Sequence, residues 1–326
     1  TMKVLVTGGA GYIGSVTSQL LLQDNHEVII FDNLSRGHRA ALPKGAIFIQ
    51  GDLADPILIS KTFREHKIEC VIHFAAVSLV AESVANPNFY FLNNVQNGLN
   101  LLKAMAENNV KKIIFSSSAA VYGRPKQIPI LETAPRNPIN PYGGTKRIFE
   151  NLLEEYDKAF GIKYISLRYF NVAGAYNELG EDHRPETHLI PLILQTALGA
   201  KKTFEIFGDD YDTRDGTCIR DYIHIYDLAI AHLLAMKNIS EESKVYNLGS
   251  EHGATVKEVF QTACEVTGKE IPTKTVGRRL GDPPVLIASS EKIKKELGWQ
   301  PKKTDLRTII QDAWNWHQAH PLGYPD

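Results

Sequence analysis

Val6-Thr7-Gly8-Gly9-Ala10-Gly11-Tyr12-Ile13-Gly14 lies between an apolar run, residues 3–7, and a helical pattern, residues 13–23. Two glycine spacings overlap in it, Gly9-x-Gly11-x-x-Gly14 and Gly8-x-x-Gly11-x-x-Gly14. A strand that turns at once into a helix needs glycine for the tight turn, for close approach of a pyrophosphate, and for helix-on-strand packing. The helix N-terminus adds unpaired N–H groups and the positive end of its dipole, both suited to phosphates. A glycine triplet alone is common. Here it follows a strand and opens a helix, and Asp32 ends a second apolar run eighteen residues after Gly14. The three conditions together predict a dinucleotide site. A carboxylate at Asp32 accepts from a ribose 2′-hydroxyl and repels a 2′-phosphate, which predicts NAD over NADP; Arg36 and Arg39 nearby temper that choice.

Outward from this stretch, short β-branched runs alternate with longer helical patterns. Strands are expected at 27–31, 46–49, 70–74, 112–116 and 163–168, and helices from Pro56, over 88–108 and over 142–160. Such alternation requires crossover connections, hence an α/β, doubly wound (Rossmann) parallel sheet with helices on both faces. Several strands are apolar throughout, as expected when both faces are covered. After Tyr169 the rhythm weakens. Residues 177–186 are polar and loop-like, and mixed helices and strands follow. The division expected is a dinucleotide-binding domain, 1–172, and a smaller C-terminal α/β substrate lobe, 173–326. Segments such as 220–250 are expected to return to the first domain.

Three further strand ends point at the same crevice. Asp52-Leu53 follows the third strand, where the carboxylate can bond an adenine amino group or simply make a turn. Phe74-Ala75-Ala76 ends the fourth, its small residues leaving room for pyrophosphate and ribose. Ser116-Ser117-Ser118 ends the fifth. Tyr142-x-x-x-Lys146 follows, with both side chains on one helix face, one turn apart. A phenol with a pKa near 10 is about one part in a thousand ionised at pH 7, so a base needs it lowered by about three pH units. An adjacent ammonium and a cationic nicotinamide ring supply that. Tyr-x-x-x-Lys is frequent by chance on ordinary helix faces; its weight comes from following the fifth strand behind the glycine loop. Ser118 is placed to hold or relay the proton of a substrate hydroxyl, whereas Ser116 and Ser117 read as a polar turn or minor cofactor contacts.

Composition narrows the function. The chain has 326 residues, 43% hydrophobic content and a net charge of -1, ample for a large core and without the basic excess that nucleic acid requires. Three cysteines, Cys70, Cys218 and Cys264, form no CxxC, which fits a reducing compartment. No apolar run reaches eighteen residues and no charged leader is present, so a cytoplasmic protein without a membrane partner is expected. Eleven histidines form no HExxH and no Cys/His cluster, so no metal is expected.

The motifs quoted so far resemble the extended short-chain dehydrogenase/reductase family, and within it the UDP-galactose 4-epimerases. The likeness spans nearly the whole chain. It includes Val71-Ile72-His73-Phe74-Ala75, Val121-Tyr122-Gly123, Leu167-Arg168-Tyr169-Phe170-Asn171 and Arg220-Asp221-Tyr222-Ile223-His224. It continues through Tyr246-Asn247-Leu248-Gly249, Arg278-Arg279-Leu280-Gly281-Asp282 and Gly323-Tyr324-Pro325-Asp326. The resemblance implies interconversion of UDP-glucose and UDP-galactose by inversion at sugar C4, through a 4-keto intermediate with tightly held NAD. It implies Tyr142, Ser118 and Lys146 as catalytic residues. It implies cofactor contacts at Gly8, Gly11, Tyr12, Ile13, Gly14, Asp32, Asn33, Asp52 and Leu53, and at Phe74, Ala75, Ala76, Asn93, Ser116, Tyr142, Lys146 and Tyr169. Substrate contacts are expected at Ser118, Tyr142, Asn171, His188, Leu189, Glu205, Phe207, Arg220, Arg279, Asp282 and Leu286. Two arginines suit a diphosphate, and Asp282 can accept from ribose hydroxyls. A homodimer through a four-helix bundle, using residues 88–108 and 142–160, is also implied.

Three positions depart from the family pattern. Ser78 stands where a lysine often approaches the cofactor, and His188 where an asparagine often sits beside the sugar diphosphate. Leu286 holds the position that shapes the pocket around the sugar 2-substituent, where tyrosine excludes an N-acetyl group and a small residue admits one. UDP-N-acetylhexosamines are therefore expected as possible additional substrates. A sugar-nucleotide 4,6-dehydratase is the nearest rival, but Ala119-Ala120 follows Ser118 where it would need an acidic pair. A non-catalytic NAD-sensing module would have no use for Tyr142 and Lys146 together.

Overall fold

A computed structural model describes residues 1–279 and 282–325. Leu280, Gly281 and Asp326, members of the motifs quoted above, lie outside the described residues. The chain begins β1 (Lys3–Thr7), α1 (Tyr12–Gln23), β2 (Glu27–Asp32), β3 (Ile47–Gln50), α2 (Pro56–His66), β4 (Cys70–His73) and α3 (Val80–Ala85). Next come α4 (Pro87–Phe91), a π turn (Leu92–Gln96), α5 (Asn97–Glu107), β5 (Lys112–Ser118), α6 (Pro141–Phe160) and β6 (Lys163–Tyr169). The remainder is β7 (Asn171–Ala173), α7 (Leu189–Ala197), β8 (Phe204–Phe207), β9 (Ile219–His224), α8 (Ile225–Asn238) and β10 (Lys244–Leu248). It closes with β11 (Gly253–Thr255), α9 (Val256–Thr267), β12 (Thr273–Val276), β13 (Val285–Leu286), α10 (Glu291–Leu297) and α11 (Leu306–Ala319).

The main sheet is parallel, in the order β3-β2-β1-β4-β5-β6-β10. Its alternating side chains feed two cores. Val4, Val6, Val28, Ile30 and Ile72 join the core that α1 and α8 cover. Leu5, Ile29, Phe31 and Val71 join the one covered by α2, α5 and α6. Apolar residues on both faces of each strand are what make these runs look continuous in sequence. From β1 the chain winds outward to β2 and β3, then returns to β4 on the other side of β1. The glycine loop after β1 therefore sits at the point where the winding reverses, where a crevice opens beyond the strand ends.

The long helix expected over 88–108 is interrupted. The π turn at Leu92–Gln96 shifts the helical phase, so that Asn94, Asn97 and Gly98 are buried while Val95 and Leu99 are only partly so. Asn94 repays this by bonding the main chain of Val77 in both directions, at 2.9 Å each, and Gly98 lets α5 close on the Phe149 ring of α6. The fifth strand runs two residues further than expected, so all three serines are in the sheet.

β9 pairs with β7, β11 and β13 in a small separate sheet, and β8 with β12 in another. A third core, around Ile193, Leu194, Ile310 and Trp314, holds α7, α9 and α11 together. β10 and α8 lie with the main sheet. Among the described residues, no helix is long and apolar enough to cross a membrane.

Candidate functional site

A cavity of about 430 Å³ opens along the carboxyl ends of the main strands. The glycine loop forms its floor. Gly8 has φ +73°, and a Cβ there would lie 2.6 Å from the Ala75 nitrogen; a Cβ on Gly14 would lie 2.2 Å from the Gly8 carbonyl oxygen. Any other residue at either position would force β1, α1 and the β4 end apart. Asp32, at the end of β2, is buried and accepts from the Ala10 nitrogen at 3.0 Å and the Leu34 nitrogen at 2.8 Å. Burial raises its pKa above the usual carboxylate value, opposed by those two bonds. Asn33 donates to Asp52 at 2.8 Å. The two cations that tempered the choice of cofactor both have partners. Arg36 is paired with Glu82 at 2.6 Å, and Arg39 donates to Gln50 at 2.7 Å and stacks on Phe48.

The opposite wall is built by α6. Asn140 caps it by accepting from the Gly143 nitrogen at 2.8 Å, and Pro141 takes the first helical position, where no N–H is needed. That start places Tyr142 and Lys146 on the cavity wall with Ser116 and Ser118 of β5. The Lys146 ammonium is buried, donates to the Ser116 carbonyl at 2.8 Å and lies 5.8 Å from the centre of the Tyr142 ring. Burial pulls Lys146 down to about 7, opposed by the Glu150 carboxylate. Burial also pushes the Tyr142 phenol up, and its hydrogen bond with Ser118 pulls it partly back. The expected lowering of the phenol by Lys146 is thus not achieved by protein groups alone. A cationic ring beside the phenol, the other half of the expected arrangement, would add compensating positive charge.

Behind this wall is a buried network with no counterpart in the sequence expectations. Glu150 accepts from the Ser117 hydroxyl and from Nε and Nη2 of Arg168, at 2.6–2.8 Å. Arg168 also donates to the Tyr122 hydroxyl, which donates to Asn247 at 2.6 Å. The Ser117, Tyr122, Arg168 and Asn247 motifs therefore meet as one scaffold. The spacing Tyr142, Lys146, Glu150, four residues apart on one helix face, was the available signal for Glu150. Asp221 is likewise structural: wholly buried, it accepts from Ser250, Glu251 and Ala288. His224 caps α8 through the Tyr226 nitrogen. His73, bonded to Thr7 at 2.6 Å and held by burial down to about 3, is a neutral core histidine.

The expected cofactor contacts all line the cavity: Gly8, Gly11, Tyr12, Ile13, Gly14, Asp32, Asn33, Asp52, Leu53, Phe74, Ala75, Ala76, Asn93, Ser116, Tyr142, Lys146 and Tyr169. The π turn brings Asn97, which sequence reading passed over, to the wall beside Asn93. Ser78 lines it too. Of the expected substrate contacts, Ser118, Tyr142, Asn171, His188 and Leu189 line the cavity, whereas Glu205, Phe207, Arg220, Arg279, Asp282 and Leu286 do not. These six gather on the neighbouring lobe. The Arg279 guanidinium lies 3.9 Å from the centre of the Phe207 ring, Arg220 is 3.8 Å from Asp282, and Glu205 pairs with Lys274. Leu286 is opposite Arg220 across the β13–β9 register and packs on Val121, Tyr122 and Ile130, as does Phe170 of the cavity wall. β9 links the two groups, since Tyr222, two residues past Arg220, lines the cavity opposite Asn171.

Residues 4–249 match the model of the NAD dependent epimerase/dehydratase family. The chain is 52% identical, over the full length of both, to the UDP-glucose 4-epimerase of Lactobacillus helveticus. It superposes with a TM-score of 0.94 and 40% identity on the UDP-glucose 4-epimerase of Bifidobacterium longum in complex with NAD+ and UDP, covering 99% of this chain and 100% of that one. The UDP-Glc/GlcNAc 4-epimerase of Campylobacter jejuni matches with a TM-score of 0.87 and 42% identity, covering 98% and 100%.

Proposed function

We infer, for a chain that belongs to the NAD dependent epimerase/dehydratase family, that it interconverts UDP-glucose and UDP-galactose by inversion at sugar C4 with NAD held in the cavity, a step of galactose metabolism. The observation that carries this is convergence: Tyr142 and Lys146 from α6 and Ser118 from β5 share one cavity wall with the glycine loop and Asp32. The residues present fit the cofactor. Gly8, Gly9 and Gly14 of the cradle have no room for a side chain, and Asp32 offers a carboxylate at the end of β2. When bound, NAD supplies a two-electron acceptor and donor for the sugar carbon and a positive ring that favours ionised Tyr142.

The chain's own groups move the proton. Tyr142 takes it from the sugar 4-hydroxyl and later returns it; Ser118, hydrogen-bonded to the phenol, holds that hydroxyl in line. Lys146, fixed on the Ser116 carbonyl, stabilises phenolate. Asn171, His188 and Leu189 are assigned to the sugar diphosphate, with Arg220, Arg279 and Asp282 closing on it from the small lobe and Glu205 and Phe207 beside the base. Residues 1–172 would thus carry the cofactor side and 173–326 mainly the UDP-sugar side. Leu286, shorter than a tyrosine, leaves room for a 2-acetamido group, so UDP-N-acetylhexosamines are second substrates in this reading.

A homodimer is supported by exposed apolar residues on neighbouring elements: Val84 of α3, Phe91 of α4, Leu92 of the π turn and Ile148 of α6, all of which pack on or belong to α6. A cytoplasmic location accords with three free cysteines.

The test is product analysis by NMR after incubation with UDP-galactose and no added nicotinamide cofactor. UDP-glucose should accumulate to an equilibrium mixture. A protein that consumes external NAD stoichiometrically, or forms a dehydrated sugar, would refute an epimerase.

A further inference from the structure

The loop before α7 reads Glu181-x-His183-x-x-Glu186-x-His188, a pattern that a search for HExxH or for cysteine–histidine clusters passes over. In the fold its four side chains converge, with one donor atom from each all within 4.8 Å of one another. Glu181 Oε1 is 3.3 Å from His183 Nδ1 and 3.1 Å from His188 Nδ1. Glu186 Oε2 is 3.5 Å from His183 Nδ1. A tetrahedral ion with metal–donor bonds of about 2.0–2.1 Å has edges of about 3.3–3.4 Å; these three separations are close to that, and the four donors, spread over up to 4.8 Å, would draw in slightly around an ion.

Two buried atoms of the cluster, Glu186 Oε2 and His183 Nδ1, make no well-formed hydrogen bond and face each other at 3.5 Å, an ion-pair distance. Glu186 has a side chain only 4% exposed. Its Oε1 accepts from the Thr187 and His188 main-chain nitrogens at 2.8 Å each and lies 2.7 Å from His188 Nδ1, while Oε2 makes no well-formed hydrogen bond. His183 Nδ1 is also buried and makes no well-formed hydrogen bond, and against that burial the two nearby glutamates push its pKa up to about 10, so an ion must displace a proton there. A native fold rarely leaves such atoms orphaned. The loop is held rigid from outside: Gly180 donates to the Tyr324 hydroxyl at 3.0 Å, Asp182 accepts from the Tyr324 nitrogen at 2.9 Å, and Trp316 donates to the Glu178 carbonyl.

We propose that Glu181, His183, Glu186 and His188 form a structural site for a tetrahedral divalent transition ion, zinc being the best match. Two imidazoles and two carboxylates suit zinc's mixed N/O preference, and two negative charges balance its two positive ones. Magnesium and calcium would want six or more oxygens. Four protein donors leave no open position, so the ion fastens the loop rather than activating a substrate. Residues 181–185, 188 and 189 of that loop line the cavity. His188 Nδ1 is thereby assigned to the ion, so fixing the metal fixes the entrance to α7.

Protein purified without chelator, loaded with zinc and freed of excess by gel filtration, should carry about one zinc per chain by elemental analysis. Cobalt in its place should give the intense visible bands of tetrahedral coordination, and chelator should lower the melting temperature. His183→Ala and Glu186→Gln, each verified as folded by circular dichroism, should lose the ion, the cobalt bands and the chelator response together. Wild-type protein that retains no zinc, weak octahedral cobalt bands, or variants that bind as the wild type does would each overturn the proposal. The cobalt spectrum of the wild type decides even if a variant fails to fold. None of these readouts depends on epimerase activity.

Discussion

The buried ammonium of Lys146 donates to the main-chain carbonyl of Ser116 at 2.8 Å, tying α6 to the end of β5 at the point where both face the cavity. In the proposed mechanism the lysine, its position set by backbone, supports the phenolate from a fixed place and not as a flexible partner. Tyr142→Phe should therefore lower kcat by about 10²–10⁴-fold while leaving UDP binding near normal, because the phenol acts on a proton in transit. Steady-state kinetics with UDP titration calorimetry checks this. A kcat within a few-fold of wild type would remove Tyr142 from the role. Lys146→Ala should slow turnover and also release NAD more readily.

Glu150 is the second anchor of the same helix. Burial alone would raise its pKa, but the two bonds from Arg168, with those from Ser117 and Arg136, hold it below the ordinary carboxylate value. A carboxylate held low in the fold contributes stability above its unfolded pKa of 4.5, and that stability is lost as pH falls through the folded value. Glu150→Gln should cost about 3–5 kcal/mol at pH 7, because Arg168 is left buried without its counter-charge. The difference from wild type should shrink below the unfolded pKa. Urea denaturation at several pH values measures it; a pH-independent difference would mean that packing, not charge, is lost.

The parallel sheet and the glycine loop were legible because their signals are local: apolar runs, a glycine triplet and an acidic strand end within one segment. The Tyr142–Lys146 pair was legible for the same reason. The π turn was not, since Tyr90, Val95, Leu99 and Leu102 hold helical spacing and only tertiary contacts of Asn94 and Gly98 reward the extra residue. The Glu150–Arg168–Tyr122–Asn247 network joins residues far apart in sequence, so its members read as separate motifs with separate roles. The Glu181–His188 cluster was missed because its donors mix glutamate with histidine. For the small lobe, the sequence named Arg220, Arg279 and Asp282, while the fold sets them beside the cavity rather than in its wall.

Asp32 offers a separate test of the cofactor. Its carboxylate orders the glycine loop through Ala10 and the following turn through Leu34. Protein as purified should release NAD on denaturation. Asp32→Ala should lose a loop contact and a ribose acceptor together, reducing the NAD recovered per chain by tenfold or more, about 1.4 kcal/mol at least. Asp32→Asn, whose single amide oxygen can accept only one of the two main-chain bonds, should retain more than the alanine variant and less than the wild type. Equal retention in all three proteins, measured by absorbance of the released nucleotide, would take Asp32 out of cofactor binding.

In the proposed reading, Leu286 sets how wide the substrate range is. It sits on β13 opposite Arg220 and packs into the small apolar cluster of Val121, Tyr122 and Ile130, against which the cavity residue Phe170 also rests. In the proposed reading a larger side chain there has the cluster on one side and the sugar on the other. Because Val121, Tyr122 and Ile130 are fully or almost fully buried, the cluster has no room to yield, and added volume goes toward the pocket. Wild-type protein should epimerise UDP-N-acetylglucosamine more slowly than UDP-glucose. Leu286→Tyr should abolish the N-acetylated activity while sparing UDP-glucose, since one or two atomic overlaps in a closed pocket cost about 1–3 kcal/mol, enough for tenfold discrimination. The measurement is kcat/KM for both sugars in both proteins. A parallel loss of the two activities would make Leu286 a packing residue of the Val121 cluster and not a gate. A wild type inert toward the N-acetylated sugar would move the constriction elsewhere on the wall, with His188 the next residue to replace.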